Sequence, residues 1–536
     1  MKEFITIIFC IIFSLSGLSQ TAPKLEWAKC YGGSRGQEGN CIKQTKDGGF
    51  INIGTTNSCD GDITKCYTAD GSYSDIWVTK IDKSGNIEWQ KTYGGTKSEG
   101  AYCIVETNDN GYIFTGVTNS NDGDVKGLHV NTYNGDAWVV KLDHFGNIEW
   151  QKCIGGSQQD WGSSIIQINN GDYIMAGHTT SFDGDIIGRT GYPGNEDFWL
   201  VDIKPNGDIR WGKTYGGDGD EYFGGMITTK DNGFILCGLA TSNDGDVSGN
   251  HGRADGWVVK VNDTGKIEWQ NCYGGSYSDV ITGIVETKKG DYMLIGQTNS
   301  NDGDINGQNK FFPTNQGAVW ALKINDTGSI IWQKCYGGSG NNTGICIIAL
   351  LNGDFILGSD TNSNDGDVSN NHNSPLGSLY DIWFTRINDT GTIVWQKCYG
   401  GSSRELLNFM TITNDGGFIA TGYTESNDGD VVQRYKSQGA IWILKLKFDE
   451  VINITNTNGD ILIYPNPAHD FVGIQTDNIK EIIILDVAGR QYLHRTINAA
   501  ENIYTYFNLQ YLARGVYIIQ TIGNDGSIKV GELMVE

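Results

Sequence analysis

Asp136 to Gly156 reads DAWVVKLDHFGNIEWQKCIGG, and close copies of it return along residues 1–447. Trp138, Val140 and Leu142 alternate with Ala137, Val139 and Lys141, the period of two that puts successive side chains on opposite faces of a strand. Asp143-His144-Phe145-Gly146 supplies the turn, and Ile148 and Trp150 share one face of a returning strand. The stretch is therefore a β-hairpin. Charge falls mainly at its turn and ends, so both faces are expected to be covered by neighbouring sheets.

The hairpin is one part of a longer repeat. Its second-strand Trp recurs as Trp27, Trp89, Trp150, Trp211, Trp269, Trp332 and Trp395, and its first-strand Trp as Trp77, Trp138, Trp199, Trp257, Trp320, Trp383 and Trp442. Within a hairpin the two lie 12 residues apart, as from Trp138 to Trp150. A strand-opening aromatic follows the second Trp by 23 residues every time: Phe50, Tyr112, Tyr173, Phe234, Tyr292, Phe355 and Phe418. Ten residues beyond each aromatic begins an Asp-Gly-Asp triplet. Only the leg from that triplet to the next first-strand Trp varies, between 13 and 18 residues.

Each unit thus reads as four strands: A (like Cys103 to Thr107), B (like Tyr112 to Thr118), and the hairpin strands C and D. A four-stranded meander repeated at about 60 residues is the pattern of a β-propeller blade. A β-solenoid usually has shorter coils, and a string of sandwiches needs more residues per unit. The repeat region opens on a lone strand D, Leu25 to Gly33, and closes on a lone strand C, Ala440 to Leu446. Seven complete blades form only if these ends share one sheet, which also removes an exposed sheet edge. The expectation is an all-β chain: a seven-bladed propeller with mixed-terminus closure over 21–447. The Trp residues are assigned to packing between blades.

Composition narrows the partners. A net charge of −24 argues against nucleic acid or an anionic membrane surface, which need cationic patches. Met1-Lys2-Glu3, the apolar run Phe4 to Leu15 and the small residues Ser16 to Ser19 read as a secretory signal peptide over 1–20. No other segment is long and apolar enough to cross a membrane. Of the twelve cysteines, Cys10 sits in that leader; Cys30, Cys153, Cys272, Cys335 and Cys398 share a repeat position that elsewhere holds Thr92 and Thr214, and Cys41, Cys103 and Cys346 share another. Cys59 and Cys66 break the pattern within one loop and are expected to form a local disulfide.

After Lys447 the period stops. FDEVINITNTNG, residues 448–459, reads as a polar linker, and residues 460–536 as a different, smaller β domain. Its landmarks are Tyr464-Pro465-Asn466-Pro467, Asp486-Val487-Ala488-Gly489-Arg490, Leu512-Ala513-Arg514-Gly515-Val516-Tyr517 and a last strand, Lys529 to Val535. Together they closely resemble the type A C-terminal sorting domain of the type IX secretion system of Bacteroidota. The resemblance implies a small β-sandwich read by the type IX machinery, export across the outer membrane, and release or attachment at the cell surface. Asp263-Thr264-Gly265-Lys266-Ile267-Glu268-Trp269 is similar to the tryptophan-docking motif of quinoprotein dehydrogenase propellers and to the Asp-box of sialidase-type propellers. Both likenesses cover one hairpin and imply architecture rather than activity.

Chemistry is expected where length varies. In a meandering blade the B–C and D–A connections share one face, with the uniform Tyr-Gly-Gly connections (such as Tyr93-Gly94-Gly95) beneath the variable B–C loops. Candidate ligand-binding aromatics there are Tyr67, Tyr73, Tyr133, Tyr192, Phe311, Phe312, Tyr380 and Tyr435, with Trp161 in a D–A connection. The paired carboxylates Asp60 and Asp62, Asp122 and Asp124, Asp183 and Asp185, Asp244 and Asp246, Asp302 and Asp304, Asp365 and Asp367, and Asp428 and Asp430 make favourable turns, and are also hard ligands suited to Ca²⁺. No acid/base pair or Ser/His/Asp arrangement is singled out, and His129, His178 and His372 look scattered. The leading expectation is an exported module that binds glycan or protein through the B–C rim. The alternatives are a secreted polysaccharide hydrolase or lyase and, further off, a quinoprotein-like oxidoreductase.

Overall fold

The computed structural model describes residues 22–68, 70–129, 134–189, 191–305, 316–350, 352–372, 379–432 and 439–448, then 463–464, 471–475, 479–486, 489–497, 504–509, 512, 514–523 and 528–535. The signal-peptide expectation lies outside the described residues. One compact unit comprises Ser19–Asp449, and another contains Glu450–Glu536.

The first unit holds seven four-stranded antiparallel sheets. In the second blade, strand A is Glu99–Glu106, B is Tyr112–Thr118, C is Asp136–Leu142 and D is Ile148–Ile154. Strands A of successive blades are neighbours, and that of the first blade also meets that of the last, so they line the axis of a closed ring. The last sheet is assembled from both ends of the repeat: Lys24–Tyr31 runs antiparallel to Ala440–Lys447, from Lys24 opposite Lys447 to Tyr31 opposite Ile441. The seven-bladed propeller and its mixed-terminus closure are therefore both present.

Strand A differs from the sequence expectation. It starts at Glu99 rather than Cys103, and a bulge interrupts its pairing with B between Ala101 and Cys103. A charged residue and a glycine at its start hide its strand character. Their backbone nonetheless pairs with Thr118 and Val117, and the Glu99 side chain is buried.

The two kinds of Trp divide the packing between them. Trp138 is fully buried, edge-on to Phe114, and its indole N–H donates to Gln151 Oε1 of the same blade (2.7 Å). Trp150 reaches out instead. Its ring lies 6.1 Å from that of Tyr173 in the next blade, and its N–H donates to Pro205 O in that blade's C–D turn (3.0 Å). The Tyr of each Tyr-Gly-Gly acts alongside: Tyr93 Oη donates to Gly146 O across the blade boundary (2.6 Å). Gly146 has φ 75°, and a Cβ there would stand 2.9 Å from Trp89, so the turn is closed to larger residues.

At the end of the blades carrying the A–B and C–D turns, a buried cation from strand C holds carboxylates together. Lys141 Nζ lies 2.9 Å from both Asp109 and Glu149, and Lys80 lies 2.8 Å from both Asp47 and Glu88. The third blade reverses the signs: Asp202 takes the lysine position and Arg210 the glutamate position (3.4 Å), with Asp172 also bound to the guanidinium.

The second unit contains a three-stranded sheet (Ile463–Tyr464, Phe471–Gln475, Tyr504–Asn508) and a four-stranded one (Gln491–Thr496, Ile479–Asp486, Gly515–Gly523, Ile528–Val535). Val472, Ile474 and Phe507 from the first pack with Ile482, Ile484, Tyr517 and Leu533 from the second, which makes a small sandwich core. Gly489 (φ 80°) closes the Asp486–Arg490 turn, Leu512 packs against that core, and Gly515 opens the strand bearing buried Tyr517. Tyr464 ends the first short strand, and Pro465, Asn466 and Pro467 lie outside the described residues.

Candidate functional site

The face formed by the B–C and D–A connections is built on a clamp that recurs in every blade. In the second, Gly94 N–H donates to Asp124 Oδ2 (3.4 Å), Thr96 N–H to Asp122 Oδ1 (2.8 Å) and Lys97 N–H to Ser120 Oγ (2.9 Å), while Asp124 N–H returns a bond to Gly94 O (2.9 Å). Gly123 between the two carboxylates has φ 64°, and a Cβ on it would stand 2.4 Å from Gly94 O. The triplet thus grips the chain arriving from the preceding blade. The ring closure uses the same device, with Asp62 accepting from Gly32 N–H (3.0 Å) and Asp60 from Ser34 N–H (2.8 Å). Asp183 with Asp185, Asp244 with Asp246, Asp302 with Asp304, Asp365 with Asp367 and Asp428 with Asp430 repeat it. Among the described residues no three His, Cys, Asp or Glu side chains converge as a metal site. A Ca²⁺ ion at a triplet would share its oxygens with these amides. Cys59 and Cys66 form a disulfide across the first triplet.

Beneath each clamp strand A begins with a buried polar residue. Glu99 accepts from Gly95 N–H (3.0 Å) and Thr118 Oγ1 (2.9 Å), and Asp160 from Gly156 N–H (2.8 Å) and Ser181 Oγ (2.9 Å). Burial raises these carboxyls against the pull of their donors, Glu99 to about 7 and Asp160 to about 6. The first and sixth blades use neutral Gln37 and Asn342 in the same place.

The histidines prove ordered rather than scattered. His129, His251 and His372 each bond through Nδ1 to the Asp that opens strand C, namely Asp136 (2.8 Å), Asp255 (2.6 Å) and Asp381 (2.7 Å). His129 Nε2 also lies 3.6 Å from Asp185 of the next blade, and His372 Nε2 3.7 Å from Asp430. Burial alone would lower the His129 pKa. The bond to Asp136 and the charges of Asp136, Asp185 and Asp160 outweigh it and raise the value.

The predicted aromatics separate into two kinds. Tyr192 (62 % exposed) and Tyr73 (38 %) stand free on B–C loops. Tyr67 is a loop pin: its hydroxyl bonds Asp124 of the next blade and accepts from Lys65 Nζ (2.7 Å), and its N–H donates to Asp75 (2.8 Å). Half-buried Tyr380 accepts at Oη from Asn341 (3.0 Å). Tyr133, Phe311, Phe312 and Tyr435 lie outside the described residues.

Trp161 is not in a connection. It is the second residue of strand A in the third blade, Asp160–Gln167, and pairs with His178, because strand A starts earlier than expected. There it belongs to a cluster that the sequence did not single out. The Trp161 and His178 rings are 4.6 Å apart, Tyr222 of the fourth blade lies 6.5 Å from His178, and His178 Nε2 is 3.5 Å from Glu196 Oε2. Glu196 N–H donates to Asp220 Oδ1 (3.1 Å). Burial lowers the His178 pKa to about 4, while burial and then the charge of Asp220 raise Glu196 to about 7. An alignment of the blades column by column is the signal that finds this cluster. The His178 column otherwise holds Thr55, Val117, Leu239, Gln297, Asp360 and Tyr423, and the Glu196 column Ser74, Gly135, Ala254, Gly317, Tyr380 and Gly439.

Residues 462–536 match the family described as the secretion system C-terminal sorting domain. The chain is therefore an exported β-propeller carrying a type IX sorting tail, destined for secretion or the cell surface. Among the described residues no helix is long and apolar enough to cross a membrane. No curated protein matches the chain. Solved structures with similar folds include the Pan2 WD40 domain of Neurospora crassa (8% identity, 77% of this chain and 90% of that one, TM-score 0.40) and Sqt1 of Chaetomium thermophilum (9% identity, 80% and 100%, TM-score 0.41). A Dyadobacter fermentans protein described as of unknown function is another (10% identity, 79% and 99%, TM-score 0.40).

Proposed function

We propose that the propeller is an exported binding module that takes glycan chains on the face formed by its B–C and D–A connections. One observation carries the reading. Among the described residues of the blades, the exposed aromatic rings Tyr73, Phe182, Tyr192, Tyr222 and Tyr277 lie at that face, whereas the turn end exposes Phe145 with Ile330 and Ile331, and Tyr102 stands in the middle of a strand A. Flat aromatic rings on a polar, rigid scaffold suit stacking against sugar rings. Phe182 is capped by the Arg189 guanidinium at 4.3 Å, so the Tyr residues are the better platforms.

The test is a glycan array probed with the full-length chain beside its Tyr192→Ala and Tyr222→Ala variants. Glycan signal that falls about tenfold or more in either variant supports the reading. Failure of every glycan to bind, or binding untouched by both variants, overturns it. Capture of a protein partner in its place would give this face to protein recognition.

A further inference from the structure

The cluster joining the third and fourth blades combines features that the rest of the face lacks. Glu196 Oε2 and His178 Nδ1 are buried and have no hydrogen-bond partner among the described residues. Buried polar atoms are almost always satisfied by protein or water, so these two are left for an added group to complete, as are Asp75, Asp136 and Asp255 Oδ1 elsewhere on the face. Two aromatic rings flank them, half-buried Trp161 and 46 % exposed Tyr222. The charge beside them is negative. Asp220 acts on Glu196, both carboxyls act on the Tyr222 phenol, and the nearest guanidinium, Arg189, is committed to Asp197 (2.9 Å). A sugar hydroxyl alone would leave that charge unanswered. A quaternary ammonium would answer it but could donate no hydrogen bond to Glu196.

We propose that this cluster is the subsite of the binding face for a sugar bearing a protonated primary amine, a glucosamine-type unit. Glu196 and Asp220 take the ammonium, His178 Nδ1 meets a hydroxyl, and Trp161 and Tyr222 cover the ring. The inference rests on the glycan-binding reading above and names its substrate class.

Isothermal titration of the full-length chain with a glucosamine oligosaccharide and with its N-acetylated counterpart tests it. The amine form is expected to bind about tenfold tighter, since acetylation removes the charge. Glu196→Gln should abolish that preference, bringing the amine form down to the affinity of the acetylated one, and Tyr222→Ala should weaken both. A melting curve checks that each variant folds, and Asp220→Asn serves if Glu196→Gln does not. Equal affinity for the two sugars, or a preference that survives both acid variants, overturns the subsite. If neutral glycans still bind and are lost on Tyr192→Ala, the wider reading stands without it; no binding of any sugar overturns both.

Discussion

At the turn end of a blade a buried cation gathers half-exposed carboxylates, and at the rim end a buried carboxyl gathers a backbone amide and side-chain hydroxyls. Lys141 between Asp109 and Glu149 represents the first arrangement, and Glu99 beneath Gly95 and Thr118 the second. The opposite placement of charge gives opposite titration. Burial would raise Asp47, Asp109 and Asp231, but hydrogen bonds from lysine and threonine hold each down to about 2. At the rim no cation answers Glu99 or Asp160, and burial wins. At the turn end a long cation, Lys or Arg, recurs on strand C of every blade but the third. At the rim end Glu, Asp, Gln and Asn are all accepted beneath the clamp, because the groups they meet there are main-chain ones. The third blade is exceptional at both ends, with reversed charges at Asp202 and Arg210 below and the Trp161–His178–Glu196 cluster above.

The largest effect is expected from inverting one turn-end cation. Lys141→Asp would bring three carboxylates together, and breaking a buried ion pair costs about 3–5 kcal/mol. Adding Glu149→Arg recreates the arrangement of the third blade and should recover more than half of the loss. Urea midpoints of the wild type, single and double variants measure this. A double variant no better than the single would show that the charge pattern of the third blade depends on its own surroundings.

At the rim the expected losses are smaller and depend on the replacement. Glu99→Ala strands Gly95 N–H and Thr118 Oγ1 and should cost about 1–3 kcal/mol. Glu99→Gln should cost under about 1 kcal/mol, because the first blade already works with Gln37 and the Glu99 carboxyl is half protonated near neutrality. A Gln variant as damaged as the Ala variant in thermal melts would mean that the negative charge is needed.

The two ends also predict how stability follows pH. Glu99, with an ordinary value of 4.5 and a folded value of about 7, contributes stability that is full below 4.5 and lost as pH rises through 7. Asp75, Asp160 and Asp197, folded near 6, act in the same direction, as does His129, whose raised value stabilises the fold at low pH. Asp47, Asp109 and Asp231 stabilise above their ordinary 3.8, and that contribution goes as pH falls toward 2. His178, held near 4, opposes the rim acids by favouring higher pH, but it is a single group. Melting temperature should therefore rise from alkaline pH to a maximum on the acid side of neutrality and fall again below about 4. A maximum on the alkaline side would show that the rim carboxyls are not raised.

How far the sequence carried these features depends on what set each spacing. The 12-residue step from Trp138 to Trp150 is legible because a hairpin of fixed length places both rings. The Lys141–Glu149 pairing was available in the same way, at eight residues, and recurs as Lys80–Glu88 and Lys260–Glu268. The clamp was not legible. The partners of Asp122 and Asp124 are main-chain amides 26 and 30 residues earlier, and every residue but proline carries one. Nor was the cluster at Trp161, since His178 and Glu196 lie 17 and 35 residues beyond it and meet it only through the pairing of strand B with strands A and C. Trp161 stands outside both series of repeat Trp residues, and its surroundings are what the fold adds.

The smallest effects on stability should separate pins from platforms on the rim itself. Tyr67 and Tyr192 sit on equivalent B–C loops, but Tyr67 Oη joins Asp124 of the next blade while Tyr192 is 62 % exposed. Removing the hydroxyl in Tyr67→Phe leaves Lys65 and Asp124 without it and should cost about 1 kcal/mol. Tyr192→Ala removes a ring from water and should change stability by less than about 0.5 kcal/mol. On the glycan array the order should reverse, with Tyr192→Ala losing signal and Tyr67→Phe retaining it. If both variants lower the melting temperature alike, Tyr192 is another loop pin, and the division between a rim that holds the ring together and a rim that meets ligand fails where it was drawn most sharply.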